Sequence, residues 1–197
     1  EAFWRFIFYS IFCIMGIIGL FYNPTTKEWI GLGNTELHWK QWPFTNNNDH
    51  LDNFLKFYYI IELGCYIHQL WWTEVNRKDA TEMIVHHCAT ICLISFSWVT
   101  NFSRIGSSIL LTHDLADIFL ESAKCISYAS KVKDQKWLSK ICDILFAIFA
   151  LTFGYTRLYI YPKFLVNSLL FESNLFYNPI GVTPWIGYWV FAGLLST

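Results

Sequence analysis

Residues 83–128 read MIVHHCATICLISFSWVTNFSRIGSSILLTHDLADIFLESAKCISY. Two apolar runs, 83–100 and 105–128, flank Asn101-Phe102-Ser103-Arg104, and each is close to the roughly 20 residues a helix needs to cross a hydrocarbon core. A connection this short joins antiparallel neighbours. Both runs nevertheless carry ionisable side chains: His86 and His87 in the first, and His113, Asp114, Asp117, Glu121 and Lys124 in the second. The stretch reads as a membrane-embedded helical hairpin with a polar interior.

The rest of the chain extends this pattern. Of its 197 residues, 54% are hydrophobic and 15% charged, so apolar content exceeds the usual soluble share and charged content falls below it. Further apolar runs cover 3–22, which stops at Asn23-Pro24, then 54–72 and 137–161, and another opens at Trp185. A secretory signal would supply only one short run. The expected fold is all-α: a polytopic transmembrane helical bundle of five full spans plus a truncated sixth, forming one domain over residues 1–197 with its active site between helices. A loop rich in Trp, Gly and Asn, including Asn46, Asn47, Asn48 and Asp49, separates the first two spans. No repeat or low-complexity tract is visible. Starting at Glu1 and ending inside an apolar run at Thr197, the sequence is expected to be a piece of a longer protein.

A net charge of −1 gives no indication of nucleic-acid binding, and in a membrane protein the side on which basic residues lie matters more than their sum. Arg77 and Lys78 occupy one turn, and Lys131, Lys133 and Lys136 occupy another on the same side, which should face the cytoplasm. Asn34, Asn101 and Glu172 then fall on the opposite side. Asn101-Phe102-Ser103 is a glycosylation sequon in form only, because it sits against the membrane between two spans. Six cysteines lie in or beside apolar runs without CxxC spacing and read as small core residues.

Asp114, Asp117, Glu121 and Lys124 are spaced i, i+3, i+7 and i+10, so they line one face of a helix, with His113 a turn before Asp117. At 1.5 Å per residue, His86 and His87 lie roughly 10 Å below the cytoplasmic end of their span, Glu121 roughly 10 Å, Asp117 roughly 16 Å and Asp114 roughly 21 Å. Histidines and acids overlap in depth. They are expected to share a cavity in which a carboxylate orients an imidazole, as in an acyl-transfer triad. Adjacent histidines point about 100° apart, so one is assigned to chemistry, with His86 preferred, and the other to support. Glu121 and Lys124 are expected to form an ion pair. Arg5, Lys56, Glu62 and Arg157 are read as lying near span ends, outside the site, and His38, His50 and His68 receive no role. The abundant Trp and Tyr, including Trp71, Trp72 and Trp137, are read as an interfacial belt.

The stretch from Arg77-Lys78-Asp79 to His86-His87-Cys88-Ala89-Thr90 resembles the RKD…HHxxT segment of ceramide synthases. Ser95-Phe96-Ser97-Trp98, Arg104-Ile105-Gly106, His113-Asp114-Leu115-Ala116-Asp117 and Leu120-Glu121-Ser122-Ala123-Lys124 are similar, in order and spacing, to that family's TLC-domain motif. Phe3-Trp4-Arg5-Phe6, Arg157-Leu158, Pro162 and Phe171-Glu172-Ser173 extend the resemblance to both ends of the chain. It implies an endoplasmic-reticulum membrane enzyme that N-acylates a sphingoid base from fatty acyl-CoA, with His86, His87, Asp114 and Asp117 catalytic and His113 and Glu121 supporting. It also implies an acyl chain held between helices. Acyl-length selection would lie in the loop from about 172 to 183, which includes Glu172, Ser173, Asn178 and Pro179.

The chemistry fits these residues. A sphingoid amine is largely protonated at neutral pH, so acylation needs a base to free its lone pair and a group to stabilise the oxyanion. Histidine can act as that base, or attack the thioester and carry the acyl group as an acyl-imidazole. The basic residues Arg77, Lys78, Lys131, Lys133 and Lys136 are placed to attract CoA phosphates, although the positive-inside bias alone would put them there. Expected partners are fatty acyl-CoA, a sphingoid base, membrane lipid and a homo- or heterodimer mate, with no nucleic acid, cofactor or metal. Six scattered histidines are too few for a membrane di-iron site. The main alternative is a non-catalytic TLC-domain protein for lipid sensing or insertion.

Overall fold

The apolar runs become helices because they contain no internal proline and because, in lipid, a helix satisfies its own backbone. The computed structural model describes residues 2–22, 35–39, 53–72, 80–133 and 135–172, and these contain helices and no strands. Helix α1 (Ala2–Ile17) continues as a π-helical turn over Ile18–Tyr22, and Thr35–His38 forms a 3-10 turn. Helices α2 (Asn53–Trp71), α3 (Ala80–Val99), α4 (Ser103–Lys133) and α5 (Lys136–Phe153) follow. The chain then winds on in π-helical form through Gly154–Val166 and Ser168–Glu172. The run opening at Trp185 and most of the 23–52 loop lie outside the described residues.

Two boundaries differ from expectation. Helix α4 runs to Lys133 rather than Tyr128, and the last helical segment passes Tyr161 to reach Glu172. Pro162 lies inside that segment. Lacking an N–H, proline disrupts an α-helix, and here the surrounding turns widen while the helix continues.

The stretches Ala2–Tyr22, Ala80–Val99 and Lys136–Val166 are long and apolar enough to cross a membrane. Helices α2 and α4 have sufficient length, but their polar residues lower their hydropathy, and those residues are turned inward: Glu62 and Gln69 on α2, and Ser107, Asp114 and Glu121 on α4, are buried. The outside is apolar. None of α5's residues is buried, and Ile144, Phe146 and Leu151 are exposed, an arrangement that suits lipid better than water. Hydroxyls within the helices are satisfied locally: Ser10, Thr90, Thr100, Ser107 and Thr112 each donate to the carbonyl four residues back at 2.7–2.9 Å.

Helix α4 packs along α1 and α5, and α2 packs on α3. One core cluster joins Phe8, Tyr9 and Phe12 of α1 to Leu55, Tyr58, Tyr59 and Tyr66 of α2, with Ile94 and Leu110. These tyrosines form the core, not an interfacial belt, whereas Trp71, Trp72 and Trp137 face outward as expected. A second cluster seats Trp39 against Phe102 and the last helical turns. There the Trp39 indole donates to Ser168 Oγ at 2.9 Å, and His38 pairs through Nε2 with Ser108 Oγ at 3.2 Å. The cysteines are not uniformly internal: Cys13 is buried, but Cys88 and Cys92 are exposed.

The α3–α4 turn is tight. Asn101 adopts φ 59°, the Phe102 N–H donates to Ser97 O at 2.8 Å, and the Asn101 N–H donates to Trp98 O at 3.3 Å. This is the paired closure of a left-handed helix cap, a conformation asparagine tolerates better than most residues. It turns the chain between α3 and α4, which touch over few residues and border one cavity.

Candidate active site

On α3, His86, Thr90 and Ser97 are spaced i, i+4 and i+11 and face a cavity of about 120 Å3. On α4, Gly106, Ile109 and His113 face the same cavity at i, i+3 and i+7, while Tyr59 and Tyr66 close it from α2 and Arg157 from the π-helical segment. Gly106 permits this closeness, since a Cβ there would overlap the Tyr59 hydroxyl, which hydrogen-bonds to Ser97 Oγ. The volume corresponds to a few water molecules at about 30 Å3 each. It is large enough for a reacting carbonyl group.

His113 is held in one tautomer. Its Nδ1 lies 2.8 Å from the Ile109 carbonyl, which can only accept, so Nδ1 carries a proton and, in the neutral ring, Nε2 keeps its lone pair. The Tyr161 ring meets the imidazole edge-on at 5.2 Å. His86 lies beside His87, with ring centroids 5.6 Å apart, but the two are turned differently. His86 lines the cavity, whereas His87 is 2% exposed, lies 6.0 Å from the Tyr66 ring and has an unpartnered Nδ1.

The acids lie elsewhere. Asp114 turns away from the cavity toward α2, where it is fully buried with Glu62 and Tyr58. Glu62 interacts electrostatically with Asp114, yet all four of their carboxylate oxygens and the Tyr58 hydroxyl lack a partner of hydrogen-bond geometry. Asp117 is half-buried, within electrostatic reach of Arg157, Glu121 and Lys124. The expected Glu121–Lys124 ion pair forms at 2.7 Å. Among the described residues no carboxylate hydrogen-bonds to an imidazole, and a main-chain carbonyl, rather than an acid, orients His113. The structure thus brings His86 and His113 together and sets His87 and Asp114 against other parts of the core.

Two residues assigned to span ends lie well inside helical segments instead. Glu62 is the midpoint of α2, with nine residues to Asn53 and nine to Trp71, and Arg157 lies inside a helical segment that continues to Glu172. A charge at the middle of an apolar run was the available signal for Glu62. For Arg157 the signal was hidden by ending the span at Tyr161. Lys131 and Lys136 are exposed, with Lys131 Nζ 6.0 Å from the Tyr128 ring. Arg77, Lys78, Ser173, Asn178 and Pro179 lie outside the described residues, as do the side chains of Lys133 and Glu172.

The sequence model of the TRAM_LAG1_CLN8 family, described as the TLC domain, matches residues 1–197. The chain belongs to the TLC-domain family. This TLC domain is 40% identical over 200 residues to ceramide synthase 5 of Homo sapiens, covering 100% of the chain and 45% of that protein. It is 36% identical over 192 residues to ceramide synthase 4 of Bos taurus, covering 96% of the chain and 43% of that protein. With ceramide synthase hyl-1 of Caenorhabditis elegans it shares 33% identity over 181 residues, 91% of the chain and 45% of the relative. It therefore spans a little under half the length of these relatives.

Proposed function

We propose that this TLC domain is the catalytic core of a ceramide synthase, transferring a fatty acyl group from acyl-CoA to the amine of a sphingoid base. The observation that carries the reading is the cavity in which His86 and His113 meet inside an apolar helical bundle. His86 acts as the base or as the nucleophile that forms an acyl-imidazole, and His113, with Nε2 unprotonated, relays protons beside it. His87 supports the fold around His86. Asp117, from the same helix as His113, balances positive charge developing at the site, and Asp114 does so from its place beside Glu62. The similarity to ceramide synthases supports the substrate pair.

In this reading the helices make five membrane spans plus the sixth opening at Trp185, in the endoplasmic-reticulum membrane, with the turns at Arg77-Lys78 and Lys131–Lys136 cytoplasmic. CoA stays on that side while both lipid tails enter from the bilayer. The segment containing Glu172, Ser173, Asn178 and Pro179 tunes acyl length, and the domain works as a homo- or heterodimer without a cofactor.

The test uses purified full-length protein with long-chain acyl-CoA and no sphingoid base, followed by intact mass spectrometry. An added acyl mass that disappears on adding sphinganine, as ceramide appears, supports the acyl-imidazole route. Ceramide without an adduct supports direct attack with histidine as base. Neither adduct nor ceramide overturns the reading in favour of a non-catalytic TLC protein.

A further inference from the structure

Arg157 is the cation lining the histidine cavity among the described residues. Its Nε is buried without a partner, and its ring contact is with Phe153, 5.3 Å from guanidinium carbon to centroid. The salt bridge formed in this region joins Lys124 to Glu121 and leaves Arg157 out. Asp114 and Asp117 act on it through space. Arg157 as a whole is half-buried; a guanidinium has N–H donors and no acceptor, so a buried Nε–H left unmet is costly and offers itself to an anion that arrives. An anion that enters the cavity against Arg157 is flanked by His86 and His113, which line the same space.

We infer that Arg157 is a catalytic residue that binds the oxyanion formed when the thioester carbonyl is attacked. This rests on the acyltransferase reading above. The amine nitrogen, or a His86 ring nitrogen in the two-step route, bonds to the carbonyl carbon, and the π pair of the carbonyl moves onto oxygen, which accepts N–H hydrogen bonds from Arg157. On collapse that pair re-forms the carbonyl and the C–S bond breaks. In the direct route CoA departs with the sulfur pair and takes up the proton the amine has lost, passed through imidazole. In the two-step route CoA takes up the proton His86 has lost, the amine then attacks the acyl-imidazole carbonyl, and the His86 ring nitrogen leaves with the C–N pair and takes up the amine's proton. The net reaction is thioester plus amine giving amide plus thiol. Arg157 exchanges no proton. Because the charge it meets exists chiefly in the transition state, its contribution appears in kcat rather than in substrate affinity.

The experiment compares wild type, Arg157→Lys and Arg157→Gln of the full-length protein in lipid nanodiscs, with acyl-CoA and sphinganine varied separately. Loss of an oxyanion donor lowers kcat about 100- to 1,000-fold, so Arg157→Gln is expected to show that loss with KM for acyl-CoA within about threefold. Arg157→Lys, which keeps the charge but loses the fork, is expected to be intermediate. A raised acyl-CoA KM with unchanged kcat would overturn the inference and assign Arg157 to a CoA phosphate. If Arg157→Gln fails to fold, the lysine variant decides: reduced kcat supports the role, and wild-type kcat refutes it. Wild type that makes no amide would sink the acyltransferase reading and this one with it, whereas active wild type with unimpaired variants sinks this one alone.

Discussion

Replacing Gly106 by alanine is expected to damage both stability and the site, for a reason confined to three side chains. A Cβ at Gly106 would overlap the Tyr59 hydroxyl and sit 3.2 Å from the Tyr59 ring carbon that bears it. Tyr59 is 2% exposed and packed in the α1–α2 core, so the ring has little room to retreat. Overpacking of this kind costs roughly 1–3 kcal/mol, and losing the Tyr59–Ser97 hydrogen bond about 1 kcal/mol more, giving about 2–4 kcal/mol in all. Tyr59→Phe alone is milder, about 1 kcal/mol, because Ser97 Oγ still donates to the Ile94 carbonyl at 2.9 Å. Phenylalanine also removes the overlapping atom, so the Gly106→Ala/Tyr59→Phe double variant is expected to be more stable than Gly106→Ala. Thermal midpoints of the detergent-solubilised protein, read by loss of the monodisperse chromatographic peak, measure the cycle. Additive effects, or a Gly106→Ala midpoint equal to wild type, would refute the close approach of α4 to α2.

Three further expectations follow from the same packing. His86→Ala and Asp117→Ala are each expected to abolish ceramide formation in a mass-spectrometric assay while the protein elutes as wild type, and retained activity in both would displace the assigned site. Glu62→Gln keeps the volume between Asp114 and Tyr58 but removes one of two unpartnered buried acids, so its midpoint should equal or exceed wild type. Glu62→Ala leaves a hole there and should lower the midpoint, and equal losses in the two variants would count against crowded acids as the feature that matters. Trp39→Ala removes a side chain 2% exposed and its bond to Ser168, at about 3–5 kcal/mol. Trp39→Phe should recover most of that in the same thermal assay, and no recovery would mean that the indole N–H, not the ring, holds the turn.

The hairpin at 83–128 was legible because two signals agreed there: apolar runs of spanning length, and a connection too short for anything but reversal. Polar spacing put His86 and the acids at overlapping depths, yet the side chain of α4 that shares the cavity with His86 is His113, which was given no depth of its own. The acids were harder to place, because periodicity gives a residue's face but not the neighbour on that face. Asp114 lies one position after His113, and that one step turns it from the cavity toward Glu62. Glu62 and Arg157 were missed when charge in an apolar run was explained by an imagined helix end. The span drawn to Tyr161 supplied one such end, and wider winding carries the helix past Pro162. The core tyrosines escaped because phenols suit a membrane interface and a hydrogen-bonded interior equally well.

The left-handed reversal at Asn101 makes the two histidine-bearing helices the arms of a pair of tweezers. Their near ends are fastened by the cap and by the Tyr59–Ser97 clasp against Gly106. His86 is fifteen residues from Asn101, a lever of about 22 Å, and swinging α3 by about 5° at the pivot moves that imidazole by about 2 Å. The gap between His86 and His113 is therefore governed by an angle set at the opposite end of the hairpin, and a substitution at Asn101 can detune the site without touching a catalytic group.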